Sequence, residues 1–338
     1  MGTFSAYKFQ HWTITVTLDS VDITKKIISP ITINYPENGL GTVDFTMLQW
    51  SSWQEQINKL LVISCTINHT GMPTPLTYQL FKGYVRPVSK NHLQQSFQIT
   101  GADMMKQLKE SRVSKTGYDS RKDTIDDILT TLTLTPVWSD YETGDLIFRG
   151  YYPEDDALSY IKWVLYGWGG YAIRSTQDGY IEFYKTMPKV ATVFDFADED
   201  IILFDDLTTN CIGLNNIVNS IYIRNDEVDL YIRVFWQRSI DKYGLRQGEE
   251  ISDIKIESQD SAIRLGQSII FESHRIWEIR WNMPFVPNLN NGNTVSINST
   301  NLGFYAKGVI RETSISLDIL SGAIISSVYL KCMRKIRT

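Results

Sequence analysis

The sequence predicts a mainly β chain of the α+β class: two antiparallel β-barrels flanking a small α/β unit, with a helical insert in the second barrel. Three observations carry this. The first hundred residues alternate apolar and polar with period two; the middle changes to helical spacing; the last third returns to alternation. A short echo ties the two β regions together. Lys82-Gly83-Tyr84-Val85-Arg86 returns as Lys307-Gly308-Val309-Ile310-Arg311, each copy preceded by a strand-like run that ends at Asn68 or Asn298. Only Lys, Gly and Arg are identical, so the echo is architectural: it assigns no chemistry to Lys or Arg and predicts that Lys82 and Lys307 occupy equivalent strands.

Element by element, Trp12, Ile14, Val16 and Leu18 share one face of a strand, with Thr13, Thr15 and Thr17 on the other. Further strands are predicted at Ile31–Tyr35, Thr42–Leu48, Leu61–Asn68, Tyr78–Val88 and Phe97–Thr100, with a turn at Pro36-Glu37-Asn38-Gly39. Helices follow at Ala102–Lys109 and Thr124–Leu132, the latter with Asp123 as N-cap. Asp155–Trp168 is helical and apolar nearly all round, hence buried, and Gly167, Gly169 and Gly170 end it. A hairpin pairs Tyr171–Arg174 with Tyr180–Tyr184 across Gln177-Asp178-Gly179. Ile217–Arg224 and Asp229–Trp236 read as another hairpin, and Glu257–Glu272 as a helix capped by Ser258. A long strand at Trp277–Met283 and strands at Thr294–Asn298, Tyr305–Thr313 and Ile324–Leu330 finish the chain.

A length of 338 residues predicts two or three domains of ~100–150 residues each. With 43% hydrophobic and 21% charged residues the chain has a globular composition, and 18 Tyr, 14 Phe and 9 Trp favour β structure and aromatic contact surfaces. A net charge of −5 argues against gripping nucleic acid through its phosphates. Cys65, Cys211 and Cys332 are odd in number and form no CxxC, so they read as reduced, buried thiols. The N-terminus has no signal-peptide pattern and no apolar run approaches membrane-spanning length, so the chain reads as soluble and made in a cytoplasm.

No catalytic, cofactor-binding or metal-binding residue is assigned. Asp155-Asp156, Asp205-Asp206 and Glu249-Glu250 are carboxylate pairs, but adjacent side chains point apart and these pairs sit at caps and loops. His11, His69, His92 and His274 share no ligand spacing and read as surface or interface residues. Gly167-Trp168-Gly169-Gly170 follows a helix instead of preceding one, so it lacks the free N–H groups of a phosphate loop. The aromatic run Tyr160–Tyr171 has core spacing, and the basic end (Lys331, Arg334, Lys335, Arg337) reads as a solvated tail or a docking patch for an acidic partner.

Several stretches resemble the baseplate hub of contractile phage tails and related injection systems, the late-control-protein-D-like tail hubs. Leu80–Val85 matches an F-x-G-x-V strand, and Gln98–Leu108 with Arg112 and Tyr118 matches the family's strand-then-helix exit from its first barrel. Asp123–Leu129, and Asp156–Gly170 followed by Asp178–Phe183, resemble the family's middle domain; Asn216–Tyr222 resembles the start of the second barrel. Pro287, Leu289, Gly292, Asn293, Val295 and Ile297 match a P-x-L-x-x-G-D/N-x-V-x-I strand, with Asn293 where Asp is usual.

The resemblance implies a first tube-like barrel over 1–105, a small α/β domain over 106–204 and a second tube-like barrel over 205–338, its helical insert near 239–275. It implies a structural, non-enzymatic virion protein assembled in the host bacterial cytoplasm. As a homotrimer it would form a pseudo-six-fold ring joining the tail tube to a three-fold spike and lining the DNA exit channel with an acidic, phosphate-repelling wall. Expected partners are the tail tube protein, a separate spike protein (the chain stops at Thr338, without a fused spike) and the tape-measure and wedge proteins; DNA passes without specific binding. No cofactor is implied. A carbohydrate-binding tail-tip module and a cell-wall-degrading tail enzyme stay open as alternatives.

Overall fold

The computed structural model describes residues 12–37, 39–48, 56–67, 75–86, 89–91, 95–113, 120–139, 156–186, 193–197, 208–211, 213–253, 256–300 and 303–336. The first β unit contains β1 (Trp12–Leu18), β2 (Val21–Asp22), β3 (Ile31–Tyr35), β4 (Thr42–Leu48), β5 (Leu60–Ile67), β6 (Leu76–Val85), β7 (Ser89–Asn91) and β8 (Ser96–Asp103). Alternation puts Trp12, Ile14, Val16 and Leu18 inside and leaves the threonines of β1 on the opposite face. Neighbouring strands run in the order β3-β4-β8-β6-β5-β1, every pair antiparallel.

The small α/β unit follows: α1 (Met105–Glu110), α2 (Arg121–Thr131), β9 (Pro136–Trp138), α3 (Ala157–Trp168), β10 (Tyr171–Ser175) and β11 (Ile181–Lys185). The cap of α2 is Ser120, whose hydroxyl accepts from Asp123 N at 3.0 Å; Asp123 sits one turn inside, so its predicted capping role falls to Ser120. Asp156 caps α3 and Gly169 (φ +81°) ends it. Tyr160, Ile161, Val164, Leu165 and Trp168 bury α3 against β10 and β11, the predicted core reading of this aromatic run.

The second β unit opens with β12 (Phe194–Ala197) and β13 (Thr208–Cys211). An insert follows, made of β14 (Ser220–Asn225), β15 (Leu230–Phe235), α4 (Gln237–Tyr243), β16 (Ile251–Ser252) and α5 (Gln259–Ser273). The sheet then resumes with β17 (Trp277–Pro284), β18 (Thr294–Ser299), β19 (Phe304–Asp318) and β20 (Ala323–Ile336). The predicted hairpin after residue 216 forms, but β14 and β15 join β16 in a separate three-stranded sheet packed on α5, so this hairpin belongs to the insert and does not start the barrel. Likewise Lys331, Arg334 and Lys335 do not form a tail: β20 continues through Ile336, and Arg337 lies outside the described residues.

Within the second unit the neighbours run β13-β17-β20-β19-β18-β12. Taking each unit's six strands in chain order, both have the same arrangement; the one departure is β12, which runs parallel to β18 where β1 is antiparallel to β5. The echo lies at matching points. Gly83 pairs with Leu61 and Asp103, Gly308 with Val295 and Cys332, each on the central strand of its unit. A methyl group on Gly83 would collide with the Ala102 carbonyl oxygen, and one on Gly308 with that of Lys331. Both positions thus exclude a side chain for the same reason, close approach of the next strand.

The units are not separate. The long β19–β20 hairpin pairs through its second half with β3 (Thr313↔Tyr35 to Leu317↔Ile31), giving one 14-stranded sheet among the described residues. Ala306, Ile310, Val328 and Leu330 on the hairpin's base belong to the second core. Ile315, Leu317 and Ile324 near its tip, with Phe285, complete the first. Trp12 N donates to Gly322 O at 3.4 Å and the Trp12 ring meets Phe285 edge-on at 5.7 Å, so the hairpin tip reaches round to β1 on the far side of the first sheet.

Candidate functional site

The point where the hairpin passes from one core to the other is a β-bulge between Ile310 and Glu312, and Arg311 is its extra residue. The bulge turns Arg311 into the junction, where it is buried. Its Nη1 donates to Glu37 Oε1 at 2.7 Å, just beyond β3, and its Nη2 pairs with Glu272 in the last turn of α5. Arg275 Nη1 also holds Glu272 at 2.5 Å, and Arg275 Nη2 donates to the Thr186 carbonyl at 3.2 Å, beyond β11. Two guanidiniums and two carboxylates thereby tie both β units, the insert and the α/β unit at one place. Burial works against the charge of Arg311, but Glu272 and Glu37 outweigh it and hold the group cationic. Beside it Asn291 Nδ2 donates to the Tyr35 and Pro36 carbonyls at 2.8 and 3.2 Å, stitching the β17–β18 loop to the end of β3.

Asp103, where β8 leads into α1, is the second buried charge-bearing group of this region. Its Oδ2 accepts from Gly41 N at 2.7 Å and its Oδ1 from Met105 N at 3.0 Å, fixing the β3–β4 connection to the start of α1. Burial pushes the carboxyl up to about 7, against the opposing pull of these two amides and the Arg86 charge.

No family model matches the sequence, and no curated protein does. Solved structures do. The 43 kDa tail protein of prophage MuSo2 from Shewanella oneidensis aligns over 94% of this chain and 97% of its own, with TM-score 0.65 and 12% identity. The tail protein from Neisseria meningitidis MC58 aligns over 95% and 96%, with TM-score 0.66 and 10% identity. Prophage tail protein gp18 from Listeria monocytogenes EGD-e aligns over 94% of each chain, with TM-score 0.63 and 13% identity. The fold is that of phage tail proteins. At this identity the likeness is one of fold, and it takes in both β units and everything between them.

Within this tail-protein fold, residues singled out by the sequence fall mostly into structural roles. Asp156 caps α3 and pairs with Lys109 at 2.7 Å; Asp155, Asp205 and Asp206 lie outside the described residues, and Glu249 and Glu250 are exposed. His274 corrects the surface reading. It is buried, with Nε2 2.6 Å from Ser239 Oγ and Nδ1 2.7 Å from the Ile270 carbonyl, and burial lowers its pKa. His11, His69 and His92 lie outside the described residues. Cys65 and Cys332 are buried as expected, whereas Cys211 is exposed on β13. Among the described residues no cluster of His, Cys, Asp or Glu is arranged to hold a metal, and no helix is long and apolar enough to cross a membrane. The junction residues Glu37, Glu272, Arg275 and Asn291 carried no sequence signal; Arg311 had one, its place in the echo.

Two outcomes are expected. Arg311→Ala removes a buried guanidinium from between two partly exposed carboxylates and lowers unfolding free energy by about 1–3 kcal/mol in urea titrations, whereas Arg86→Ala, at a half-buried site, changes it by about 0.5 kcal/mol or less. Asp103 has its folded pKa raised from 3.8 to about 7, so the folded state holds the proton more tightly and stability falls as pH rises between those values. Asp103→Asn flattens that fall; an unchanged slope in the variant assigns it to other groups.

Proposed function

We propose that the chain is a structural baseplate or tail-tip hub: a homotrimer whose six β units close into a pseudo-six-fold ring between the tail tube and a three-fold spike. The observation that carries this reading is the repetition of one six-strand order in two units already joined edge to edge within the chain. Two such units per chain reconcile six-fold with three-fold symmetry when three chains close a ring. The proposed limits are 1–105 and 205–338 for the tube-like domains and 106–204 for the small domain, with the insert widened from 239–275 to include β14 and β15. The proteins it resembles in fold are tail components, which supports a place in the virion, assembly with other tail proteins and a role without catalysis.

The sheet faces turned away from the first core support a channel wall, but of a different character from the acidic one expected. Outward positions on β1, β3 and β4 are Thr13, Thr15, Thr17, Thr32, Asn34, Thr42, Thr46 and, at the end of β4, the apolar Leu48, with Asp44 the one acid, and Thr100 Oγ1 donates to it at 2.8 Å. A hydroxyl-rich face offers phosphates few cations to bind, so DNA slides past it.

A second reading has one observation in its favour. On the insert, Tyr231 and Phe235 are 61% and 53% exposed, and Tyr222 stacks on Tyr231 at 5.4 Å, a surface on which sugar rings could also stack. Light scattering on the purified protein, alone and mixed with a spike protein, separates the two. The hub gives three chain masses in at least one condition; a monomer in both, together with retention on a glycan column, supports the binding module.

A further inference from the structure

The internal repeat identifies two unpaired strand edges that match each other. Inside the chain, β3 is the edge strand of the first unit, and its free side is covered by the second half of β19. Its counterpart in the second unit is β13: β3 pairs with β4 as β13 pairs with β17, and the register equates Thr32, Ile33 and Asn34 with Thr208, Thr209 and Asn210. Among the described residues β13 has no strand on its other side, and all four of its residues are exposed. Among the described residues nothing guards that edge. It carries no charge, proline or bulge, the usual means by which an open strand is kept from pairing.

The element that would cover it is present as well. The first unit's counterpart of the β19–β20 hairpin is β6 continued by β7, returning through β8. Gly83 matches Gly308; counting six residues on, Ser89 matches Ser314, and both are opposite equivalent residues of the return strand, Gln98 and Ser327. The two hairpins even share their irregularity. Four steps from Val85 to Ser89 face three from Gly101 to Gln98, one residue in excess, as at Arg311. The residue following Val85 is Arg86, the counterpart of Arg311, and it makes no ion pair among the described residues. Among the described residues β7 pairs with β8 on one side only.

We infer that β7 of one copy pairs antiparallel with β13 of the next, repeating between chains the β19·β3 pairing found within the chain. Carried over residue by residue, Ser314↔Asn34 becomes Ser89↔Asn210, and Ser316↔Thr32 becomes Asn91↔Thr208. The contact is head-to-tail: each copy offers one edge and receives the other, so the sheet continues from chain to chain and closes when the rotation allows. The inference rests on the trimeric reading and names the strands that build it.

Directly opposed strand residues lie within disulfide reach. With Cys211→Ser to remove the nearby thiol, the double variant S89C/N210C is oxidised at the assembling condition, beside each single variant; both side chains are exposed, so folding is undisturbed. Non-reducing gels are expected to move most of the chain into two- and three-chain bands and no further, with the single variants staying at one chain. A trimer by light scattering without linked bands overturns this strand assignment while leaving the trimer standing; linked products beyond three chains overturn the closed ring; a monomer under every condition overturns both.

Discussion

Everything in this molecule depends on one hairpin belonging to two hydrophobic cores. β19 and β20 are each about twice the length of an ordinary strand, and their two halves bury side chains in different places. The arrangement answers two physical demands together. A six-stranded sheet has edges that must be covered, and a small β unit alone buries too little apolar surface to be comfortably stable. Lending the hairpin tip to the first unit covers β3, supplies Ile315, Leu317 and Ile324 to its core beside Phe285, which follows β17, and fixes the orientation of one unit against the other.

β20 presents Ile324, Val328 and Leu330, all on one face, first to one core and then to the other. The bulge at Arg311 adds one residue to β19 alone, so its inward positions shift from Ile310 to Thr313, Ile315 and Leu317 while staying opposite the inward residues of β20. The inserted side chain then lies where neither core can take it. Pairing it with Glu37 and Glu272 turns a geometric necessity into a clamp whose partners come from different parts of the chain. A buried ion cluster of this kind adds little net stability over an apolar one, but it is intolerant of misalignment, and that suits a joint that fixes the angle between two units.

The sequence made legible whatever obeys a local period. Trp12–Leu18 and Trp277–Pro284 alternate cleanly, α3 keeps helical spacing, and the caps Asp156 and Ser258 precede their helices by one residue. It was silent on β13, because Thr208-Thr209-Asn210-Cys211 has no apolar partner pattern and pairs only through its backbone. The cap of α2 was misplaced by three residues because Ser120 and Asp123 form a reciprocal pair in which either type can cap. His274 looked like a surface residue because nothing local reveals that Ser239, thirty-five positions earlier, folds against it. The shared hairpin was hidden for the same reason: Leu317 alternates identically whether it enters its own unit's core or a neighbour's. The five-residue echo was the one long-range clue, and its glycine marks the same point of each unit, the close approach of the next strand.

The most direct test of the shared core is hydrogen exchange on Phe285→Ala, the residue that follows β17 and donates its N–H to the Ile324 carbonyl at the hairpin tip. Removing this ring costs about 3–5 kcal/mol, and because the ring lies against Trp12 in the first core, amide protection is expected to fall along β1 and β5 as well as along β17, more than two hundred residues away in sequence. Loss of protection confined to residues 277–336, with β1 and β5 unchanged, would mean that the two units keep separate cores and that the account of their coupling is wrong.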